Sequence, residues 1–345
     1  MAILPLATGV LGGIAIAVAG YTGYWYVAAG QIESRIDAWA SEQNAAGHNV
    51  TYDATRVRGF PLALNVSIDA PAMDASSAGW AFQADSLHAN LTPWDFNEIT
   101  LVPGQHTTIR TRDGKIWEEF GFGVSSGFAR LSIDDDRIQA LHVDFTDVAI
   151  DATWVEDVTR IARFQLNGLA PKFDGAGGVD TEVLRAALSM QGIRLPDGFG
   201  EEMGEQVEYI EVDASLFGTL PDGDTQTAAA LWRDAGGVLE VNDLKVRWGP
   251  LGVESTGTLT LDQAMRPLAA MTADIIGYGD IIDALIMSNA IPLGDAFLAK
   301  VAFNMLAEEP EGGGPRALRG VPVTAQNGDL FVGPVEVAKL SPISF

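Results

Sequence analysis

The stretch Leu62-Ala-Leu-Asn-Val-Ser-Ile-Asp69 decides the fold class of this chain. Its apolar side chains at Leu62, Leu64, Val66 and Ile68 alternate with smaller or polar ones. Successive side chains of a β-strand point to opposite faces of the sheet. The alternation therefore predicts an antiparallel strand with one apolar face and one face towards water.

The same period of two recurs along most of the chain. A change of parity between Ala84 and Leu87 predicts a β-bulge near Asp85-Ser86. Asp134-Asp135-Asp136 and Asn327-Gly328 predict hairpin turns. Further strands are predicted near residues 50–54, 80–91, 129–152, 162–166, 210–216, 239–261 and 271–275. We therefore expect an α+β fold, mainly antiparallel β, with a large curved sheet.

A few helices are expected to flank this sheet. Their predicted ranges are Thr181–Gln191, capped by Asp180, then Thr225–Asp234, and then residues 280–289 and 293–306. The β-rich domain is predicted to span residues 47–345. Its order of strands followed by helices also allows two similar halves, at about 47–195 and 196–345.

The N-terminal segment is predicted to be a membrane anchor of residues 1–46. No charged residue occurs from Leu4 to Ala29, and about 20 apolar residues suffice for a transmembrane helix. The alternative is a cleaved signal peptide with its cleavage site at Ala17-Val18-Ala19, although no basic residue precedes the apolar run. An uncleaved anchor would hold the bulk of the chain at the periplasmic face of the inner membrane.

An aromatic cluster follows the predicted span. Tyr21, Tyr24, Trp25 and Tyr26 are predicted membrane-interface residues, because amphipathic rings concentrate at the headgroup level. The helix should continue through Gln31–Asn44 with an apolar stripe at Ile32, Ile36 and Trp39. That stripe either packs on the following domain or lies along the membrane surface.

Composition excludes several classes of protein. The 345 residues carry a net charge of −25, which disfavours nucleic-acid binding because phosphates would be repelled. The chain has no cysteine, so disulfides, thiolate metal sites and cysteine nucleophiles are excluded. We expect no cofactor.

The sequence offers no convincing catalytic or metal site. His48, His88, His106 and His142 have no metal-ligand spacing. Ser125 lies in a G-x-S-x-G match, but alternating residues follow it where a nucleophile elbow needs a helix. The chain is therefore not expected to be an enzyme.

Three short motifs resemble an uncharacterised alphaproteobacterial envelope family, a domain-of-unknown-function family with an N-terminal membrane anchor. They are Val57-Arg-Gly-Phe-Pro61, Ala89-Asn-Leu-Thr-Pro-Trp94 and the closing pattern Pro322-Val323, Asn327-Gly328 and Val332-Gly-Pro334. The family is distantly similar to AsmA-like envelope proteins. That resemblance implies β-rich proteins associated with lipid transport and outer-membrane upkeep, and it carries over no catalytic residues.

Together these patterns predict a membrane-anchored periplasmic protein without catalysis. It would bind or transfer lipid, or maintain the cell envelope, because a curved sheet with one apolar face presents a groove for acyl chains. The alternative is a scaffold that recruits other envelope proteins, and an envelope hydrolase is the least favoured class.

Overall fold

A computed structural model describes most of the chain. The described residues are 4–113, 116–134, 137–152, 158–169, 178–195, 203–219, 225–287, 293–309 and 315–343. The side chains of residues 4–16 are outside this description.

The fold is mainly antiparallel β, as predicted. The described helices are α1 (Leu4–Ala45), α2 (Thr225–Asp234), α3 (Tyr278–Met287) and α4 (Leu293–Leu306). The strands are β1 (Asn49–Thr51), β2 (Ala54–Arg58), β3 (Leu64–Asp69), β4 (Ala72–Ala75), β5 (Trp80–Ala84), β6 (Ser86–Thr92), β7 (Asp95–Pro103), β8 (His106–Asp113), β9 (Ile116–Asp134), β10 (Arg137–Ala152), β11 (Thr159–Leu169), β12 (Glu182–Arg194), β13 (Gln206–Phe217), β14 (Val238–Trp248), β15 (Leu251–Leu261), β16 (Pro267–Ile276), β17 (Ala317–Gln326), β18 (Asp329–Val332) and β19 (Val335–Lys339).

The chain divides into two compact units. Unit 1 comprises Met1–Asp136 and Ile150–Trp154, and unit 2 comprises Arg137–Ala149 and Val155–Phe345. Helix α1 belongs to unit 1. These bounds differ from the predicted halves at 47–195 and 196–345, and an internal similarity between such halves stays a prediction.

Unit 1 is built from two groups of four antiparallel strands. One group has the order β1-β4-β5-β8, and the other has the order β2-β3-β6-β7. The long strand β9 serves both groups. Its residues 116–123 pair with β8, and its residues 129–132 pair with β7.

The chain crosses between the two groups along one hydrogen-bonded line. Asp53 N donates to Asp69 O at 2.9 Å, Ala70 N donates to Asp85 O at 3.0 Å, and Asp85 N donates to His106 O at 3.1 Å. Each of these residues lies at or next to a β1–β2, β3–β4, β5–β6 or β7–β8 crossing. We call this line the corner of unit 1.

The corner explains the parity change at Asp85-Ser86. A bulge within one strand was predicted there, and that prediction is wrong. Strand β5 ends at Ala84 in one group, and β6 begins at Ser86 in the other. The alternation shifts because the chain moves from one strand group to the other, where the apolar side must again face the interior.

The deciding stretch forms β3, but the strand begins two residues later than its alternation. Leu64 and Val66 are buried, as predicted for the apolar face. Leu62 is instead exposed in the turn that contains Phe60 and Pro61. Proline cannot donate to a strand ladder, so pairing starts only after this turn.

Unit 2 contains an antiparallel meander in which each strand from β11 to β19 pairs with the next. Helices α3 and α4 lie close to the predicted ranges 280–289 and 293–306. They pack on β16 and β17 in a core that includes Ile275, Ile282, Phe303 and Leu318.

The predicted turn at Asn327-Gly328 joins β17 to β18, and both residues have positive φ, 57° and 87°, as a type I′ turn requires. Helix α2 has the bounds predicted for it.

The predicted helix Thr181–Gln191 is wrong. Residues 182–191 belong instead to strand β12, which pairs with β11 on one edge and with β13 on the other. Leu166, Leu188 and Val212 lie opposite one another across the three strands. A short apolar run rich in Ala and Leu fits both the helical period of about 3.6 residues and the strand period of two. Here hydrogen bonding on both edges of the strand overrides helix propensity.

Candidate functional site

Trp25, one of the predicted membrane-interface residues, lies in the core of unit 1. Its indole Nε1 donates to Ala63 O at 3.0 Å, and its side chain is almost fully buried. It packs with Ala28, Ala29 and Leu64. Helix α1 is thereby held against strand β3.

Two further tyrosines of this cluster hold α1 to loops of unit 1. Tyr24 Oη donates to Pro93 O at 2.5 Å, and Tyr21 Oη donates to Pro61 O. Tyr26 is exposed and stacks on Phe60 at a centroid separation of 6.0 Å. The accepting loops are the Gly59-Phe-Pro61 and Thr92-Pro-Trp94 motifs, so both motifs serve to hold the helix.

The predicted membrane span gains no support from the structure. Among the described residues, no helix is long and apolar enough to cross a membrane. Part of the predicted span, residues 1–16, lies outside the residues whose side chains are described. The interface role of the four aromatic residues stays a prediction.

An apolar cavity of about 350 Å³ lies within unit 1. Val50, Met73, Phe82 and Ile109 form one wall, where they lie opposite one another across β1, β4, β5 and β8. The second strand group supplies Ile68 and Leu87, which are register partners on β3 and β6. The cavity therefore lies between the two strand groups that diverge from the corner.

Helix α1 supplies a third wall. Ile36 and Trp39 of the predicted apolar stripe line the cavity, and Ile32 packs on the neighbouring Trp25 cluster. The stripe thus packs on the domain, as the first of its two interpretations predicted. Trp39 remains 48% exposed and Ile109 40% exposed, so the cavity reaches solvent between the helix and the sheet.

A polar contact fixes the helix beside the cavity. Tyr52 Oη donates to Asp37 Oδ1 at 2.6 Å, joining the chain after β1 to α1. This hydrogen bond, together with burial and the negative charge of Asp37, raises the pKa of Tyr52. Tyr52 consequently stays a neutral donor at physiological pH.

The cavity suits an apolar ligand and offers no reactive group. Its volume falls within the range of about 300–1,000 Å³ that is common for small-molecule sites. Among the described residues that line it there is no His, Asp, Glu, Lys or Arg, and the hydroxyl of Tyr52, which also lines it, donates to Asp37. A cavity of about 370 Å³ in unit 2 differs in chemistry, since three threonines and Gln326 contribute to its lining.

The other sequence candidates are dispersed. Ser125 lies exposed within β9, and the strand continues to Asp134 without the helix that a nucleophile elbow needs. His48, His88 and His142 contact Gln43, Ser67 and Asn167. Within the described ranges, no three His, Asp or Glu side chains are placed to hold a metal ion. The hairpin turn predicted at Asp134-Asp135-Asp136 stays a prediction, because Asp135 and Asp136 lie outside the described residues.

Sequence reasoning predicted a groove on a curved sheet, but it missed the residues of this cavity because its walls come from distant segments. The signal for the helix wall was the stripe at Ile36 and Trp39. For the sheet walls the only signal was the alternation of apolar and polar residues, which does not reveal which strands face each other.

The sequence model of one protein family matches residues 25–341 of the chain. The family is described as an uncharacterized protein conserved in bacteria, DUF2125. No curated protein and no solved structure matches the chain. The match confirms a domain-of-unknown-function family, but it gives no support to a restriction to alphaproteobacteria or to similarity with AsmA-like proteins.

Proposed function

We propose that this chain, which belongs to the DUF2125 family of uncharacterized bacterial proteins, binds a lipid acyl chain in the cavity of unit 1. The observation that carries the proposal is the cavity's continuous apolar lining, which is drawn from both strand groups and from α1. Binding would require no catalysis.

The energetics favour a hydrocarbon ligand. Each methylene removed from water contributes about 0.8 kcal/mol. Eight buried methylenes would thus contribute about 6 kcal/mol before the cost of ordering the chain. A charged headgroup would stay in solvent at the exposed edge formed by Trp39 and Ile109, because the lining offers a charge no partner.

The test is saturable binding of a fluorescent fatty acid to the full chain, combined with native mass spectrometry of the purified protein. Ile109→Glu places a carboxylate in the cavity wall at a partly exposed position. Phe96→Glu is the matched control, because Phe96 is 42% exposed in unit 1 and does not line the cavity. We expect Ile109→Glu to weaken binding at least tenfold, about 1.4 kcal/mol, and Phe96→Glu to leave it unchanged.

Two results would overturn the proposal. One is the absence of both co-purified lipid and saturable binding in the unsubstituted chain. The other is equal weakening by Ile109→Glu and Phe96→Glu, which would place the ligand elsewhere.

The proposed setting is the inner membrane, with the bulk of the chain in the periplasm. Support comes from the uncharged sequence between Leu4 and Ala29. Fractionation followed by protease treatment of spheroplasts tests it. Recovery of the chain in the soluble fraction, or its protection from protease, would contradict this setting.

A second candidate function is a scaffold for other proteins, favoured by the outer face of α4. Phe297, Leu298 and Met305 are exposed on this helix, although Ala296, Ala299 and Phe303 of the same helix are buried in unit 2. Exposed apolar patches often mark interaction sites. Loss of a defined binding partner on Leu298→Asp, with lipid binding intact, would favour this function.

A further inference from the structure

Three exposed apolar side chains lie on the loops of unit 1 that hold α1, and a fourth lies on α1 itself. We name Tyr26, Phe60, Leu62 and Trp94 the aromatic rim. Their exposed fractions are 62%, 45%, 67% and 64%. Tyr26 stacks on Phe60, Leu62 lies in the same turn as Phe60, and Trp94 follows the Pro93 whose carbonyl accepts from Tyr24. Tyr26, Phe60 and Leu62 therefore lie together, and Trp94 lies on the second loop that holds α1.

The rim is uncharged in a chain whose net charge is −25. Residues 59–63 and 92–94, which carry three of its members, contain no ionisable side chain, and the exposed Arg58 and Asp95 flank them. Helix α1 has no charge before Glu33. Such a surface avoids the electrostatic repulsion that the rest of the chain would experience near anionic headgroups.

The direction of α1 indicates what the rim meets. The helix continues from Tyr21 back towards Leu4 through sequence that has no charged residue. The surroundings of this uncharged end of the helix therefore lie next to the rim. Exposed Tyr and Trp rings, apolar in body and polar at one edge, suit the boundary between headgroups and acyl chains.

We propose that the aromatic rim docks unit 1 on a lipid bilayer surface, with Phe60, Leu62 and Trp94 inserted at the headgroup level. This inference rests on the proposed membrane setting, but it does not require α1 to span the membrane. It is separate from the cavity, because Ile36, the first cavity residue of α1, lies 10 residues beyond Tyr26, or about 15 Å along the helix at 1.5 Å per residue.

The chain's lack of cysteine allows a direct test. The full chain carrying Leu62→Cys or Trp94→Cys is labelled with an environment-sensitive nitrobenzoxadiazole probe and mixed with phosphatidylcholine vesicles. Flotation measures association with the vesicles, and the probe's emission measures insertion at the labelled position. Leu231→Cys is the matched control, since Leu231 is 48% exposed on α2 of unit 2 and belongs neither to the rim nor to the exposed face of α4.

We expect the chain to float with the vesicles, with a blue shift and at least a twofold gain in emission at positions 62 and 94 and no change at 231. Flotation without a change at 62 and 94 would overturn rim docking while leaving the membrane setting intact. An equal change at 231 would overturn it as well, because contact would then be unspecific. Absence of flotation would overturn both the docking and the membrane setting, without bearing on acyl-chain binding in the cavity.

Discussion

Trp25 donates a hydrogen bond from its indole Nε1 to the carbonyl oxygen of Ala63 across 3.0 Å, and only 3% of the residue is exposed. This contact joins α1 to the turn that precedes β3. It gives the helix a fixed place in unit 1, and Ile36 and Trp39 farther along the helix can therefore form a wall of the cavity.

Loss of this contact should destabilise unit 1. We expect Trp25→Phe, which keeps a ring but loses the donor, to lower the free energy of unfolding by about 1 kcal/mol. Trp25→Ala should cost about 3–5 kcal/mol, because it also leaves a void in the core. Urea unfolding followed by circular dichroism measures both. Trp94→Ala, at an exposed position, should change stability by less than about 0.5 kcal/mol. A loss of stability at Trp94 as large as that at Trp25 would contradict the stabilising role of the buried Trp25 contact.

Gly104 is expected to be essential to the corner of unit 1. A Cβ at this position would lie 1.7 Å from Asp85 Oδ1 and 2.8 Å from the backbone oxygen of Ser86. The Asp85 carboxylate already accepts from the backbone amides of Ser86 and Gln105, at 2.7 and 3.2 Å. Gly104→Ala should therefore cost about 2–4 kcal/mol, through overpacking and through loss of these hydrogen bonds.

A double-mutant cycle tests this explanation for Gly104. Asp85→Ala removes the clashing carboxylate, so it should cost less in the Gly104→Ala background than on its own. Gly30→Ala is the control, since no atom lies within 4 Å of a Cβ placed there and the residue is helical. It should be neutral or stabilising by up to about 1 kcal/mol. Strictly additive costs of Gly104→Ala and Asp85→Ala would refute the clash.

Removal of the buried hydroxyl of Thr55 should stabilise the protein. Among the described residues, its Oγ1 has no hydrogen-bond partner. Thr55 lies opposite Ile68 in the register of β2 and β3, so both side chains share the face that borders the cavity. An unpaired buried hydroxyl costs about 1–3 kcal/mol, and Thr55→Val should therefore raise the free energy of unfolding by about 1 kcal/mol.

Thermal and urea unfolding of Thr55→Val and Thr55→Ala provide the measurement. Thr55→Ala should be less stable than Thr55→Val, because it removes a methyl group as well as the hydroxyl. A destabilised Thr55→Val would contradict the unpaired state of this hydroxyl.

Asp274 should make part of the stability of unit 2 dependent on pH. Arg319 and Gly320 form a bulge in β17 opposite Asp274, since Ala273 pairs with Val321 and Ile275 with Leu318. Asp274 Oδ1 accepts from Gly320 N at 2.8 Å, and Oδ2 accepts from Arg319 Nη1 at 2.6 Å. These contacts, with the backbone amide first, lower the pKa of Asp274.

The sign of the pH dependence follows from that lowered pKa. The ionised carboxylate stabilises the fold above the unfolded pKa of about 3.9, and this contribution is lost as pH falls through the folded pKa. Asp274→Asn should cost about 1 kcal/mol at pH 7, because the carboxylate is partly exposed, and much less near pH 2. Urea unfolding across this range measures the difference. A cost that does not change with pH would contradict the role of the charge.

Local physics determined several elements that could be predicted from sequence. Leu64, Val66 and Ile68 alternate because one face of β3 is buried, and alternation alone predicts such a strand. Asn327-Gly328 predicts a tight hairpin because these residues tolerate positive φ. The bounds of α2 follow in the same way from its own sequence.

Tertiary structure decided what local patterns leave open. Residues 182–194 became strand β12 because β11 and β13 satisfy both of its edges. The chain crosses between the strand groups at Asp85 because Ala70 and His106, at neighbouring crossings, form backbone hydrogen bonds with it. The cavity exists only because Ile36, Phe82 and Leu87, far apart in the chain, face one space.

The sequence alone predicts an N-terminal helix that starts in uncharged sequence and a series of alternating strands, since both depend on side chains a few residues apart. The burial of Trp25 and the contact of Tyr24 with Pro93 depend on residues 38 and 69 positions apart, and the walls of the cavity likewise come from distant segments. Alternation specifies which face of a strand is apolar, and only the packed fold specifies what covers that face.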